Sequence, residues 1–371
     1  MRALVHVGGG ELELADRPVS EVVAGDDVVV RVVATGICGT DRKIVLGKFP
    51  ARPGVILGHE SVGVIHAVGS GVRGVAIGDR VVVNPTLYCG RCERCRSGAD
   101  NFCRNKKGTE VGVDRDGTFA EYTLLPERFV HRLPDGIGLR SAILIEPLAC
   151  VLNNVLAAGV SFDDTVVVLG GGPIGVLCGL LCERRGRRAV VVEPDPHRAA
   201  SAGKLLRHVI TATGADPATA IEAAAGGRRP SVVFDTTGVC AERAVQLVDD
   251  GGRVVLMGFD DSYTASLSPL HLTNHGVRLI GAGDFRSDAF SMAVGLVAEL
   301  NLDGIVTHEF PLERYAEAFA VLGAGAASGD GHGNGGATYG AMKVVLRSGA
   351  GGSGAGDADD TDANGWPRSG S

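Results

Sequence analysis

The run Thr165–Glu193, TVVVLGGGPIGVLCGLLCERRGRRAVVVE, narrows the fold more than any other part of this chain. An apolar strand, Val166 to Leu169, enters Gly170, Gly172 and Gly175 in the spacing G-x-G-x-x-G, and Pro173 and Ile174 then open a helix. Proline suits the first helical turn because its missing N–H has no helical acceptor there. A second apolar strand follows and ends on Glu193. Wholly apolar strands alternating with helices are covered on both faces, which predicts a doubly wound parallel sheet. The same rhythm begins near Val155 and continues through SVVFDTTG and GRVVLMGF.

Such a turn binds a dinucleotide when its context is complete. The glycines make the tight turn, admit a pyrophosphate to the backbone and let helix pack on strand, while N–H groups at the helix start hold the anion. Glu193, 23 positions after Gly170, is placed to accept from a ribose 2′-OH and to repel a 2′-phosphate, which favours NAD over NADP. Arg198, five residues on, is open to two readings, lying along the adenine or tolerating a phosphate. The alternative for the whole run is a plain strand-to-helix turn.

The first 150 residues read differently, as short β segments (ALVHV, DVVVRVVATGI, ESVGVIHAVG, DRVVVNP) between Gly, Pro and Asp clusters. After Arg286, the helical stretches MAVGLVAELN and LERYAEAFAVL lead to a last strand, MKVVLR. A length of 371 residues suits two domains. Residues 323–340 and 349–371 are rich in Gly, Ala, Ser and Asp and hold fifteen of the 56 glycines, which predicts a flexible loop and a disordered tail.

Charge and composition exclude several partners. The net charge of −7 and an aromatic content of 5% offer neither the basic surplus nor the stacking platform of a nucleic-acid binder. The uncharged stretch Thr165–Cys182 is broken by GGGP, so no membrane partner is expected. The start, MRALVHVGGGELEL, lacks the apolar core of a signal peptide, which predicts a cytoplasmic location.

Cys89, Cys92, Cys95 and Cys103 stand as C-x2-C-x2-C-x7-C, with Gly90 and Gly98 in the turns. Four thiolates on a short loop can close on one tetrahedral Zn²⁺ at about 2.3 Å each. That is a structural site. An iron–sulfur cluster or a set of buried or disulfide-forming cysteines also satisfies the spacing. The surrounding Arg91, Arg94, Arg96, Arg104, Lys106 and Lys107 offset the charge of a tetrathiolate centre, or line a nucleic-acid zinc ribbon.

Three further motifs are GICGTD (Gly36–Asp41), GHE (Gly58–Glu60) and IEPLA (Ile145–Ala149). Taken singly, Cys38 reads as a small core residue, His59 as a satisfied core histidine and Glu146 as a helix-cap carboxylate. Together with the cysteine lobe and the glycine fingerprint, in this order and at this spacing, they make the chain resemble the zinc-dependent medium-chain alcohol dehydrogenases. The branch it resembles is the polyol one, with sorbitol, iditol and threonine dehydrogenase-like members.

The resemblance implies a GroES-like irregular β-barrel catalytic domain at 1–152 with its structural zinc lobe at 84–110, a Rossmann NAD-binding domain at 153–286 and a return to the catalytic domain at 287–348. It implies two Zn²⁺ per chain, one structural and one catalytic. Cys38, His59 and Glu60 would ligate the catalytic ion, Glu60 directly or after a shift. Glu146 stands where simple alcohol dehydrogenases have a cysteine, and would bind zinc, a water or the substrate; Cys150 is its rival and is read as core. Thr40 would relay the proton, Asp41 would orient His59, and Phe119 and Arg286 would line the substrate pocket. Lys43 replaces the histidine many relatives carry five residues after the first cysteine, and would relay a proton or anchor hydroxyls or a phosphate. The implied reaction moves a hydride between a secondary hydroxyl of a polyol, sugar or cyclitol and NAD, with a small polyhydroxylated substrate and a homodimeric or homotetrameric assembly. Within the enzymes the alternative is a diol or L-threonine-type β-hydroxy amino acid dehydrogenase. Outside them it is a dinucleotide-binding scaffold or sensor.

Overall fold

The computed structural model describes residues 1–212, 217–300, 302–324, 340–349 and 361–367. The chain divides into two units, Met1–Glu146 with Arg286–Ser371, and Pro147–Phe285, so the boundary cuts the helix Ile145–Ala158.

In the first unit a seven-stranded sheet runs Val306–Pro311, Lys343–Arg347, Asp27–Gly36, Glu60–Val68, Arg80–Val83, Val130–Arg132, with Tyr122–Pro126 also paired to Asp27–Gly36. Asp27–Gly36 (DVVVRVVATG) is buried almost throughout, as a central strand rich in β-branched residues should be. Its pairing with Glu60–Val68 is interrupted at Val29/Val30 and at Val32/Ala34. Such bulges bend a strand, and here the sheet encloses an irregular barrel instead of a flat layer. One apolar core, with Ile37, Ile44, Leu57 and Phe119, sits under the ends of these two strands, and a second gathers Val28, Val81, Leu125 and Phe129.

The second unit is a six-stranded parallel sheet in the order Val209–Thr211, Arg188–Glu193, Thr165–Leu169, Val232–Asp235, Arg253–Leu256, Arg278–Ile280. In chain order this is 3-2-1-4-5-6, the doubly wound arrangement whose strand order reverses beside Thr165–Leu169. The expected fold class, a GroES-like barrel plus a Rossmann sheet, is therefore the one adopted. No helix among the described residues is long and apolar enough to cross a membrane.

The expectation of a disordered tail from 349 onward fails at Thr361–Pro367. Trp366 is 0% exposed, and its indole N–H donates to the Ile137 carbonyl at 2.9 Å. One aromatic anchor and a self-bonded turn order this segment despite its glycine and aspartate content. Most of the 323–340 loop and the remainder of the tail, apart from Gly349, lie outside the described residues.

Candidate metal centres and nucleotide turn

The register of two strands assembles the first cluster. Gly36 pairs with Glu60 across the sheet, so Cys38, just beyond the end of one strand, meets His59 and Glu60 at the start of the other. A Cβ on Gly36 would lie 2.3 Å from Glu60 Oε2, so glycine is what lets that carboxylate fit. Cys38 then N-caps the helix Gly39–Val45, where Asp41 accepts from the Cys38 N–H at 2.9 Å and from the Gly58 N–H at 3.2 Å. One fully buried carboxylate thus ties both ligand segments together. Its Oδ1 lies 3.8 Å from His59 Nδ1, a charge contact and not the orienting hydrogen bond expected.

Ligand atoms of Cys38, His59 and Glu60 all lie within 4.8 Å of one another. Glu146 is buried in the first turn of Ile145–Ala158, and its charge acts on both His59 and Lys343. Burial works against a charged His59, but Asp41 and the Cys38 sulfur outweigh it and set the ring well above its usual pKa. Surroundings that hold a proton on this imidazole suit a dication equally. One thiolate, one imidazole and carboxylates form a donor set that Zn²⁺ accepts with a position left for substrate, so these residues fit the metal.

Sequence reasoning missed Lys343. It is buried, and its ammonium donates to Glu60 Oε1 at 2.8 Å, to Glu60 Oε2 at 2.6 Å and to the Ile37 carbonyl at 3.2 Å. Burial opposes its charge, yet Glu60 and Cys38 keep its pKa above the ordinary value. The signal available was a lysine opening the last strand directly before the apolar run Val344–Leu346.

Other expected pocket residues are placed as follows. Thr40 is half-buried, with its hydroxyl 3.8 Å from Cys38 Sγ, and Lys43 is half-buried one helical turn further on. Phe119 is 0% exposed, stacks edge-on with Phe319 and lies over Gly58, where a Cβ would come within 2.7 Å of its ring. A ring with no exposed surface lines no pocket, so Phe119 is corrected to a core residue. Arg286 is bonded through two nitrogens to Asp288 at 2.9 and 2.8 Å, an exposed pair at the start of Ser287–Leu296.

In the second cluster the sulfur separations are 3.5 Å for Cys92–Cys95 and 3.9 Å for Cys89–Cys95 and Cys92–Cys103. Four sulfurs about 2.3 Å from a tetrahedral ion sit about 3.8 Å apart, so the lobe has the dimensions of a zinc tetrathiolate. Backbone N–H groups of Arg91 and Cys92 donate to Cys89 Sγ at 3.5 and 3.4 Å. The Arg91 N–H leads in lowering the Cys89 pKa to about 5, while burial pushes Cys95 up to about 12.

The nucleotide turn lies at the strand-order reversal. Gly170 has φ +103°, and a Cβ on Gly175 would stand 1.9 Å from the Gly170 carbonyl oxygen, so both positions need glycine. Gly172 caps the helix Pro173–Arg184, with Pro173 and Ile174 in its first turn. Glu193 is buried and accepts from the Gly171 N–H at 2.7 Å and the Asp195 N–H at 2.9 Å. The Arg198 guanidinium lies 3.4 Å from Glu193, so it meets the carboxylate from the adjoining helix Pro196–Gly203.

Comparison with known proteins gives a consistent picture. Residues 24–135 match the family described as "Alcohol dehydrogenase GroES-like domain" and residues 173–299 the one described as "Zinc-binding dehydrogenase". The chain is 32% identical to "Probable D-xylulose reductase A" of Neosartorya fischeri, over 87% of this chain and 94% of that one. It is 30% identical to "Sorbitol dehydrogenase 2" of Saccharomyces cerevisiae, over 84% and 91%. Among solved structures, a Sinorhizobium meliloti protein described as "a putative zinc-binding dehydrogenase" and bound to NADP superposes with a TM-score of 0.83 at 28% identity, covering 93% of this chain and 98% of that one.

Proposed function

The chain belongs to the zinc-dependent medium-chain alcohol dehydrogenases, in their polyol branch, and from that premise we propose that it oxidises a secondary hydroxyl of a polyol, sugar or cyclitol to a ketone. The carbon-bound hydrogen leaves as hydride to a nicotinamide dinucleotide and the hydroxyl proton leaves separately; the reverse reaction is the reduction of the ketone. The observation that carries this reading is the meeting of Cys38, His59 and Glu60 within 4.8 Å in a chain that also holds a complete dinucleotide turn. A scaffold or sensor has no need of that donor set.

When bound, Zn²⁺ supplies Lewis acidity, which lowers the pKa of a hydroxyl as it lowers that of water to about 7. Cys38, His59 and Glu60 would hold the ion, with Glu146 completing the site directly or through water, or accepting from a neighbouring substrate hydroxyl. A carboxylate in place of a thiolate makes the site harder and adds a hydrogen-bond acceptor, which suits a substrate bearing several hydroxyls. Thr40 takes the departing proton on its Oγ1. Lys43, on the same face of the helix Gly39–Val45, meets further hydroxyls or a phosphate. Cys89, Cys92, Cys95 and Cys103 hold the second Zn²⁺ in a closed structural site.

Glu193 favours NAD, because a 2′-phosphate would be placed against its carboxylate, and Arg198 moderates that preference. Cysteines grouped as metal ligands at both sites suit a cytoplasmic enzyme, and we place it there as a homodimer or homotetramer. The test is a panel of polyols, cyclitols, amino alcohols and simple alcohols with NAD and with NADP, followed by absorbance of the reduced cofactor. Turnover should concentrate on the polyols and cyclitols with NAD. Silence across the panel would favour the scaffold, and a preference for amino alcohols would favour the β-hydroxy amino acid reading.

A further inference from the structure

We propose that the surface formed by Arg80, the segment Ile137–Leu139 and Arg347 is a peptide-docking site whose occupant is the chain's own C-terminal segment Thr361–Pro367, and that this docking braces the strand delivering Lys343 to Glu60. The segment is built as a ligand. Asp362 accepts from the backbone N–H groups of Asn364 at 2.9 Å and Trp366 at 3.0 Å, Gly365 adopts φ +78°, and Thr361 bridges to Pro367. The turn therefore closes on itself and presents one indole with its shape set before docking.

Recognition uses four different groups of the barrel. The Trp366 indole N–H donates to the Ile137 carbonyl at 2.9 Å, and the Leu139 N–H donates to the Asn364 carbonyl at 2.9 Å. Arg347 donates to the Gly365 carbonyl at 3.3 Å. Arg80 pairs with Asp362 at 2.5 Å while its guanidinium stands 5.2 Å from the centre of the Trp366 ring. A buried aromatic with a satisfied N–H, flanked by a charge pair and a cation–π contact, is the pattern of an interface anchor.

The position of the contacts gives the docking its consequence. Arg347 ends the strand Lys343–Arg347 and Arg80 begins Arg80–Val83. In the sheet these two strands flank Asp27–Gly36 and Glu60–Val68, the strands from which Cys38, His59 and Glu60 are presented. The segment joins the outer pair and so fixes the last strand relative to the ligand-bearing ones. Lys343, four residues before Arg347, then keeps both bonds to Glu60.

Trp366 is the chain's only tryptophan, so its fluorescence reports the docking directly. In the full chain we expect blue-shifted emission resistant to acrylamide. Removal of residues 361–371, or Trp366→Ala, should lower the melting temperature by roughly 5–10 °C. The same variants should increase amide exchange in Lys343–Arg347 and Arg80–Val83 while leaving Thr165–Leu169 unchanged. Trp366→Phe, which keeps the ring and loses the N–H, should shift the melting temperature by less. A synthetic Thr361–Pro367 peptide added to the truncated chain should restore the melting temperature and acquire blue-shifted emission, in a protein that otherwise has no tryptophan. Water-like emission from the full chain, unchanged melting on truncation, or exchange that rises equally in Thr165–Leu169 would each overturn the proposal. So would loss of a dimer on truncation together with concentration-dependent emission, which would make a second copy the host.

Discussion

The two metal-ligand sets stand on opposite kinds of support. The four cysteines lie between Cys89 and Cys103 on a lobe with almost no apolar interior: the helix Glu93–Arg96 buries no residue, and Phe102 is 52% exposed. The Cys38–His59–Glu60 set draws on distant segments, but those segments end in a packed core of Ile37, Ile44, Leu57 and Phe119. The lobe is held mainly by polar contacts, among them the Ser287 N–H on buried Asp100 and the Arg104–Glu93 pair, so an ion bound by its four sulfurs is expected to add much of its stability. The other is shaped by packing, and under the proposed function its ion would serve chemistry.

Loss of a lobe ligand should have the largest effect. Cys92→Ser should remove one of about two zinc ions and expose residues 89–108 to protease, read by metal analysis and mass spectrometry of the fragments. An intact, protease-resistant lobe without zinc would break the contrast. Cys38→Ser should lower turnover by about a thousandfold or more with the melting temperature within about 2 °C of the parent. A melting change as large as that of Cys92→Ser would show the two sites to be alike.

Lys343→Met leaves the buried Glu60 carboxylate without its partner and should destabilise the barrel by about 3–5 kcal/mol in denaturant melts. Adding Glu60→Gln should recover most of that loss. Failure of the recovery would mean that Lys343 acts through packing alone. The smallest effect concerns acid. Asp362 is held below the ordinary aspartate pKa: burial opposes this, but the Trp366 N–H and Arg80 prevail. A depressed carboxyl contributes stability above its unfolded pKa and loses it as pH falls through the folded one. Trp366 emission should therefore redden only below about pH 4, and reddening near neutrality would rule out Asp362 as the group.

What was legible in the sequence follows the same division. The cysteine lobe and the glycine turn are local, so spacing alone carried their geometry. Cys38, His59 and Glu60 became readable only through resemblance, since each has an ordinary core role by itself. Lys343 was hidden because its partner lies 283 positions away. Phe119 was misread because it lies in a bend before Tyr122–Pro126, where no periodicity says which way a ring points, and only its place over Gly58 decides it. Trp366 was masked by the glycine and aspartate around it, since composition averages away a single anchor.

Asp41 gives the mixed site a mechanical property of its own. The same carboxylate fastens Cys38 by one oxygen and Gly58, the neighbour of His59, by the other. The bite between sulfur and imidazole is then held by this side chain as well as by the pairing of Gly36 with Glu60. A substitution at Asp41 removes an anchor from both donors at once, so it acts on their spacing as a hinge pin shared by two leaves.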